Sequence, residues 1–247
     1  HRCAHRKPNL AQVPAESQFR ELFKASPNHI MVGADLSGIE LRMLAHYLGR
    51  FDGGKYADIL LNGDIHQVNA DKIGITRRQV KTVTYAFLYG AGNVKLGLSF
   101  DSKLKPQAAA KKGQEIRKAY VSAIDGLDEL LKTVSIKLTK RGFLFACDGR
   151  PLHVDSPHKA LNYLLQCGAG VVAKLWMVIA DNNLRHDPHT HQLAFIHDEL
   201  QYETLPEHAE SVMSTLEVAA ASAGEYYKLR CPIAAEAKSG NSWADVH

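Results

Sequence analysis

The chain has 247 residues, 45% hydrophobic and 23% charged, enough to bury the core of one large domain or two modest ones. No uninterrupted apolar run approaches the roughly 20 residues of a membrane span, nothing in the given sequence reads as a signal peptide, and Cys3, Cys147, Cys167 and Cys231 form no C-x-x-C pair; the expectation is a cytoplasmic protein with free thiols and no membrane partner. A net charge of +4 permits a polyanionic partner without demanding one.

Residues 1–28, punctuated by Pro8, Pro14 and Pro27, read as an irregular lead-in. Because the first residue is His1 and Arg2 already reads as part of a motif, the sequence is expected to start inside a longer protein. Ile30-Met31-Val32-Gly33-Ala34 predicts a buried strand ending at Asp35. Ser37-Gly38-Ile39-Glu40 has capping-box spacing, and Ile39, Met43, Leu44 and Tyr47 follow at helical period. After a break at Gly53-Gly54, Thr76-x-x-Gln79 opens a helix that runs to about Leu88 and stops at Gly90-Ala91-Gly92. Residues 106–140 are mainly helical, and the Lys and Arg residues crowding 103–141 read, on charge alone, as a solvated face. Phe143, Phe145 and the Asp148-Gly149 turn predict a hairpin between Gly142 and Val154. Ser156-Pro157 starts a long helix to about Leu184, with Trp176 in its core face. Leu193–Glu203 reads as two short strands meeting at His197-Asp198-Glu199, before a helix from Pro206 to Lys228, a last strand near Ile233–Ala237 and a docked end at Trp243. Helices and strands interleaved without a strict β-α repeat define an α+β protein.

Three stretches could carry chemistry. A carboxylate closing a buried strand is costly to desolvate unless a cation neutralises it; taken alone, Asp35 reads more readily as a cap for the next helix. Asp198 stands at a second strand end beside Glu199, and two such acids on adjacent strands would suit Mg²⁺, which prefers carboxylates and phosphate oxygens. Arg77, Lys81, Tyr85 and Tyr89 recur every four residues along one helical stripe about 18 Å long. Two cations at one end and two aromatic rings at the other could order a triphosphate, its sugar and its base. His186, His189 and His191 lie in a Pro-containing polar loop and lack the regular spacing of a zinc site.

In their order these stretches resemble the motifs of family A (Pol I-like) DNA polymerases. Asp35-Leu-Ser-Gly-Ile-Glu-Leu-Arg42 is similar to motif A, Arg77-x-x-x-Lys81-x-x-x-Tyr85-x-x-x-Tyr89-Gly90 to motif B, and His197-Asp198-Glu199 to motif C. Arg2 with Pro8-Asn9-Leu10, Gly63-Asp64-Ile65-His66 and Leu164-Leu165-Gln166 match as well. Ser37-Gly38, Asn62-Gly63-Asp64-Ile65-His66 and Leu88-Tyr89-Gly90-Ala91-Gly92 most resemble the replicative polymerases of podovirus-type phages, whose setting is the host cytoplasm. The likeness runs through essentially the whole chain. Ala86 departs from it, standing where the family usually has Gly.

The resemblance implies a palm, an antiparallel sheet with packed helices, from residues 1–48 and 156–247, and mainly helical fingers from 49–155. Asp35 and Asp198, assisted by the carbonyl of Leu36, would hold two Mg²⁺ ions, for which Mn²⁺ could substitute. Arg77, Lys81 and His66 would contact the triphosphate of a dNTP, Lys81 assisting catalysis as pyrophosphate leaves. Glu40 would fill the space of a ribose 2′-hydroxyl, and Tyr85 would sit by the sugar. Tyr89 would lie near the template base, Arg2 and Gln166 in the minor groove, and His197 and Glu199 near the primer terminus, Glu199 counted with Asp35, Asp198 and Lys81 among the catalytic residues. The function implied is template-directed addition of dNTPs to a primer on DNA. No stretch corresponds to the thumb or the 3′–5′ exonuclease, which would belong to a missing N-terminal portion. A single-subunit RNA polymerase is a rival reading that Glu40 opposes, and a DNA-binding fragment inactive alone is another.

Overall fold

The computed structural model describes residues 2–247. In chain order its elements are α1 (Ser17–Arg20), β1 (Ile30–Leu36), α2 (Ile39–Leu48), α3 (Lys55–Asn62), α4 (Ile65–Ile73), α5 (Arg77–Leu88), α6 (Asn93–Phe100), α7 (Pro106–Ala123) and α8 (Leu127–Arg141). They continue with β2 (Phe143–Phe145), β3 (Pro151–His153), α9 (Ala160–Leu184), β4 (His191–Ile196), β5 (Glu199–Thr204), α10 (Ala209–Tyr226) and β6 (Ala235–Gly240). The chain divides into two compact units, one running up to Ile39 and resuming at Cys167–His247, the other Glu40–Gln166. Both divisions fall inside helices, α2 and α9, where no composition break marks them.

In the first unit four strands form an antiparallel sheet in the order β4-β5-β1-β6. Its register sets Ile30 opposite Thr204 and Asp35 opposite Glu199, with Leu36 facing Ala235 on the other side. Side chains alternate across a strand, and here both faces are covered. α10 packs along β1 and β6, and Trp176 of α9, fully buried, donates its indole N–H to the Leu216 carbonyl at 2.8 Å. The opposite face carries Met31 and Ile196 against Trp243 and Val246. Gly33 is required there, because a Cβ would stand 2.6 Å from the Val246 carbonyl oxygen. Double coverage explains why all six residues of β5 are buried despite three acids and amides among them. Most of their polar heads are paired: Glu203 accepts from Ser26 N–H at 2.7 Å, Thr204 meets the Thr190 hydroxyl at 2.7 Å, and Gln201 donates to Glu199 at 2.6 Å, while the Gln201 side-chain oxygen is buried without a hydrogen-bond partner among the described residues.

The lead-in is more ordered than its prolines suggest. A 3₁₀ turn (Leu10–Gln12) and α1 precede β1, and Trp243 N–H donates to the Phe23 carbonyl at 2.9 Å. The Trp243 ring meets Phe23 edge-on, with the Arg20 guanidinium 4.7 Å from its centroid.

The second unit is helical apart from the β2–β3 hairpin, whose turn uses Gly149 at φ 82°. Thr76 caps α5 through a complete capping box with Gln79. α3, α4 and α6 lie in stretches without a predicted element. α6 and α7 cross with backbones nearly touching: a Cβ at Gly97 would sit 2.0 Å from the Ala109 carbonyl oxygen, and one at Gly113 1.9 Å from that of Asn93. Residues 157–184 form a helix long and apolar enough, by length and composition, to cross a membrane, contrary to the expectation from uninterrupted runs; its most apolar stretch is mostly buried in the protein. The four cysteines are free thiols.

Candidate active site

Within the first unit, β1 and the β4–β5 turn bring Asp35 and Asp198 together. β1 extends through Asp35 to Leu36, and the Leu36 N–H donates to the Asp198 carbonyl at 3.0 Å. Asp35 itself is exposed, although Ala34 and Leu36 beside it are buried. This corrects the desolvation argument: an exposed carboxylate demands no neutralising cation, so the case for a metal rests on the donor set alone. That set is two carboxylates and main-chain carbonyls on adjacent strands, hard oxygen donors of the kind Mg²⁺ takes. Asp198 follows His197, which holds φ at 60°. A left-handed non-glycine residue is uncommon and costs roughly 1–2 kcal/mol, and such strain gathers where a side chain must be aimed.

Glu199 is placed differently from Asp35 although the two are register partners. Its carboxylate is 6% exposed and enclosed by donors: Trp243 Nε1 and Gln201 Nε2, each 2.6 Å from Oε1, and His247 Nδ1 3.1 Å from Oε2. Arg2, also in this unit, is half-buried.

In the second unit, α5 turns Val80, Val83, Thr84, Phe87 and Leu88 inward and leaves Arg77 and Lys81 exposed, Tyr85 half-exposed and Tyr89 50% exposed at its C-terminal end. The Tyr85 and Tyr89 rings stack with centroids 6.5 Å apart, and His66 from α4 lies 6.2 Å from Tyr85. The Tyr89 hydroxyl donates to Glu40 Oε1 at 3.0 Å, and Gln166 Nε2 stands 3.5 Å from the same oxygen. Glu40, Tyr85, Tyr89, His66 and Gln166 are thus linked through successive contacts.

Asp64 is the residue that the sequence reading left without a role. Its Oδ1 accepts from the N–H groups of His66 and Gln67, capping α4, while Oδ2 accepts from Arg77 Nε at 2.6 Å. The Arg77 guanidinium holds its carboxyl below the usual range. The Asp64-x-x-Gln67 capping signal was there to be read. Burial, and next the Arg77 charge, push the His66 imidazole below its ordinary value, and its Nδ1 is buried without a hydrogen-bond partner among the described residues. Neutral His66 and the cations Arg77 and Lys81 make an anion-receptive row that adds hydrogen bonding to charge.

The fold is that of a polymerase domain. The structure titled POL domain of Pol1 from M. smegmatis, in complex with DNA primer-template and dNTP, matches 99% of this chain and 46% of its own at a TM-score of 0.82, with 22% sequence identity. The sequence places it further: the model of DNA polymerase family A matches residues 1–245, and the chain belongs to that family. The DNA-directed DNA polymerases of Enterobacteria phage T3 and Escherichia phage T7 are each 34% identical over 100% of the chain. The chain spans 39% of the length of either relative.

Proposed function

We propose that this chain carries template-directed DNA polymerase chemistry, adding dNTPs to a primer on a DNA template. In each step the primer 3′ oxygen bonds to the α-phosphorus, the bond to the β-phosphate bridge breaks, and pyrophosphate leaves. The observation that carries the reading is the meeting of Asp35 and Asp198, far apart in sequence, at the β1 end and the β4–β5 turn. Asp35 and Asp198, with the Leu36 carbonyl, would hold two Mg²⁺ ions, which when bound lower the pKa of an attacking hydroxyl and offset charge on phosphate oxygens.

The remaining roles belong to the side chains themselves. Arg77 and Lys81 bind the triphosphate and balance the charge that grows on departing pyrophosphate. His66, neutral, donates a hydrogen bond to a phosphate oxygen. Arg77 must exchange Asp64 for that phosphate, which makes the Asp64 contact a holding position for the guanidinium. Glu40, its carboxylate fixed by Tyr89, occupies ribose 2′-hydroxyl space and so selects dNTPs. Tyr85 meets the sugar and Tyr89 the base; Arg2, Gln166 and His197 touch the primer-template, and Glu199 orders the backbone that presents Asp198. Lysines of α7 and α8 contribute sequence-independent attraction to DNA phosphates.

The test is Mg²⁺-dependent primer extension by the chain, alone and supplied with the N-terminal portion of a family A DNA polymerase. Asp35→Asn and Asp198→Asn should each abolish incorporation while DNA affinity stays largely intact. Glu40→Ala should raise rNTP relative to dNTP use. Incorporation by Asp198→Asn at the parent rate would defeat the assignment, and unchanged sugar selection in Glu40→Ala would defeat the gate.

A further inference from the structure

The turn that carries Asp198 is held on both flanks by one short stretch, Ser242–His247. The turn consists of His197 and Asp198 alone, since Ile196 and Glu199 on either side are register partners. His197 strains it with φ at 60°, and a strained backbone persists only where its surroundings over-determine it. On one flank, Ile196 packs in a buried cluster with Met31, Trp243 and Val246. On the other, Glu199 accepts from Trp243 Nε1 at 2.6 Å and meets His247 Nδ1 at 3.1 Å.

That stretch is itself pinned by Asp245. Its Oδ2 accepts from the Asn241 N–H at 3.0 Å, the Ser242 N–H at 2.9 Å and the Ser242 hydroxyl at 2.9 Å. Its own N–H donates to the Ser242 carbonyl at 3.1 Å. An Asp side chain bound to nearby backbone in this way fixes a tight turn. Ser242 is anchored in addition by an antiparallel bridge to Lys24, and the Trp243 N–H donates to the Phe23 carbonyl. Trp243 and Val246 therefore reach the sheet from a backbone that is already set. Asp245 is exposed and makes no hydrogen bond to Glu199 among the described residues, so its influence on Asp198 passes through the stretch it pins.

We propose that Ser242–His247 is a brace that aims Asp198, with Asp245 and Val246 as positioning residues for nucleotidyl transfer. The inference rests on the polymerase reading above and extends it to residues outside the three motifs. Apolar packing holds Ile196, hydrogen bonds hold Glu199, and the two residues between them inherit a fixed direction. The Leu36 N–H, which donates to the Asp198 carbonyl at 3.0 Å, reports that direction without metal or DNA. Removing partners that orient a metal's ligands typically changes affinity or activity about 10–100-fold.

Residue-resolved amide hydrogen exchange on the whole chain is the first arm of the test. Asp245→Ala should speed exchange at Leu36 about tenfold relative to amides around the Ile30–Thr204 pair, at the far end of the same strands. Asp245→Asn, which keeps an accepting oxygen, should exchange as the parent does. In primer extension, Asp245→Ala should lower kcat about tenfold with KM for dNTP changed less than about twofold, and Asp245→Asn should restore it. Should Asp245→Ala lose its fold by circular dichroism, Val246→Ala loosens the Ile196 flank instead, and the same selective exchange is expected. Exchange at Leu36 that rises no more than at Ile30 and Thr204, or a defect that Asp245→Asn does not restore, would overturn the brace. A parent that incorporates no nucleotide would defeat the polymerase reading, while the exchange ratio still decides whether the brace holds the turn.

Discussion

Trp243→Phe isolates one hydrogen bond on which the placement of Glu199 depends. The substitution keeps an aromatic ring against Phe23 and Arg20 but removes the indole N–H that donates to Glu199 Oε1 at 2.6 Å. Glu199 is 6% exposed, so water cannot freely replace the donor. A hydrogen bond to a charged group contributes about 1.5–3 kcal/mol, and the smaller ring adds roughly 1 kcal/mol of cavity cost. The expected loss is about 2–4 kcal/mol, a Tm decrease of roughly 5–15 °C for a chain of this size. Trp243→Ala would cost about 3–5 kcal/mol in packing alone, comparable with the whole stability of a marginal domain. Glu199→Gln retains one carbonyl oxygen for Trp243 and Gln201, so its cost should be smaller. The assay is urea unfolding followed by circular dichroism on both single variants and the double. A coupling of about 1 kcal/mol or more is expected, because each variant already weakens the same contact. Destabilisation below 1 kcal/mol by Trp243→Phe, with no coupling, would refute the view that the indole holds Glu199.

At the α6–α7 crossing, Gly97→Ala and Gly113→Ala each push a methyl into a carbonyl oxygen about 2 Å away; overpacking of this kind costs typically 1–3 kcal/mol or more, and a loss below 0.5 kcal/mol in chemical denaturation would show the crossing to be looser. His66 should titrate below 6.5 in NMR, since burial and then Arg77 oppose its protonation. The sign follows: a depressed native value leaves its contribution complete above 6.5 and withdraws it as pH falls toward the native midpoint. Arg77→Gln should raise that midpoint, and a midpoint indifferent to Arg77 would contradict the assignment of cause. Asp64→Asn keeps an acceptor for the α4 amides while releasing Arg77, whereas Asp64→Ala loses both. Asp64→Ala should therefore melt lower than Asp64→Asn; equal melting would mean that the cap contributes nothing.

Much of the second unit was legible because its signals are local. The Thr76–Gln79 capping box, Pro157 at the opening of a helical run and the Asp148-Gly149 turn each state their structure within a few residues. The last strand was shifted, running from Ala235 to Gly240. Its residues carry little β-propensity, and pairing with β1 rather than side-chain preference decides where it lies. α6 escaped notice because Gly92, Gly97 and an absent capping side chain mask it. Its helicity is supported by packing on α7, which only the fold reveals.

Chemistry was legible where spacing carries it and obscure where environment does. The four-residue recurrence of Arg77, Lys81, Tyr85 and Tyr89 could place those side chains on one outward stripe before any coordinates. No spacing could disclose that Arg77 rests on Asp64, that Glu40 receives Tyr89, or that Asp35 is exposed while its register partner Glu199 is enclosed. The last contrast matters for mechanism. Asp35 and Glu199 share one sheet position, yet Trp243, Gln201 and His247 close over Glu199 alone. A carboxylate already accepting from three side chains has little lone-pair capacity left for a cation. Of the two acids in the Asp198-Glu199 pair, the enclosed one is therefore suited to hold the turn in place, which is why Asp198, rather than Glu199, is proposed to act with Asp35.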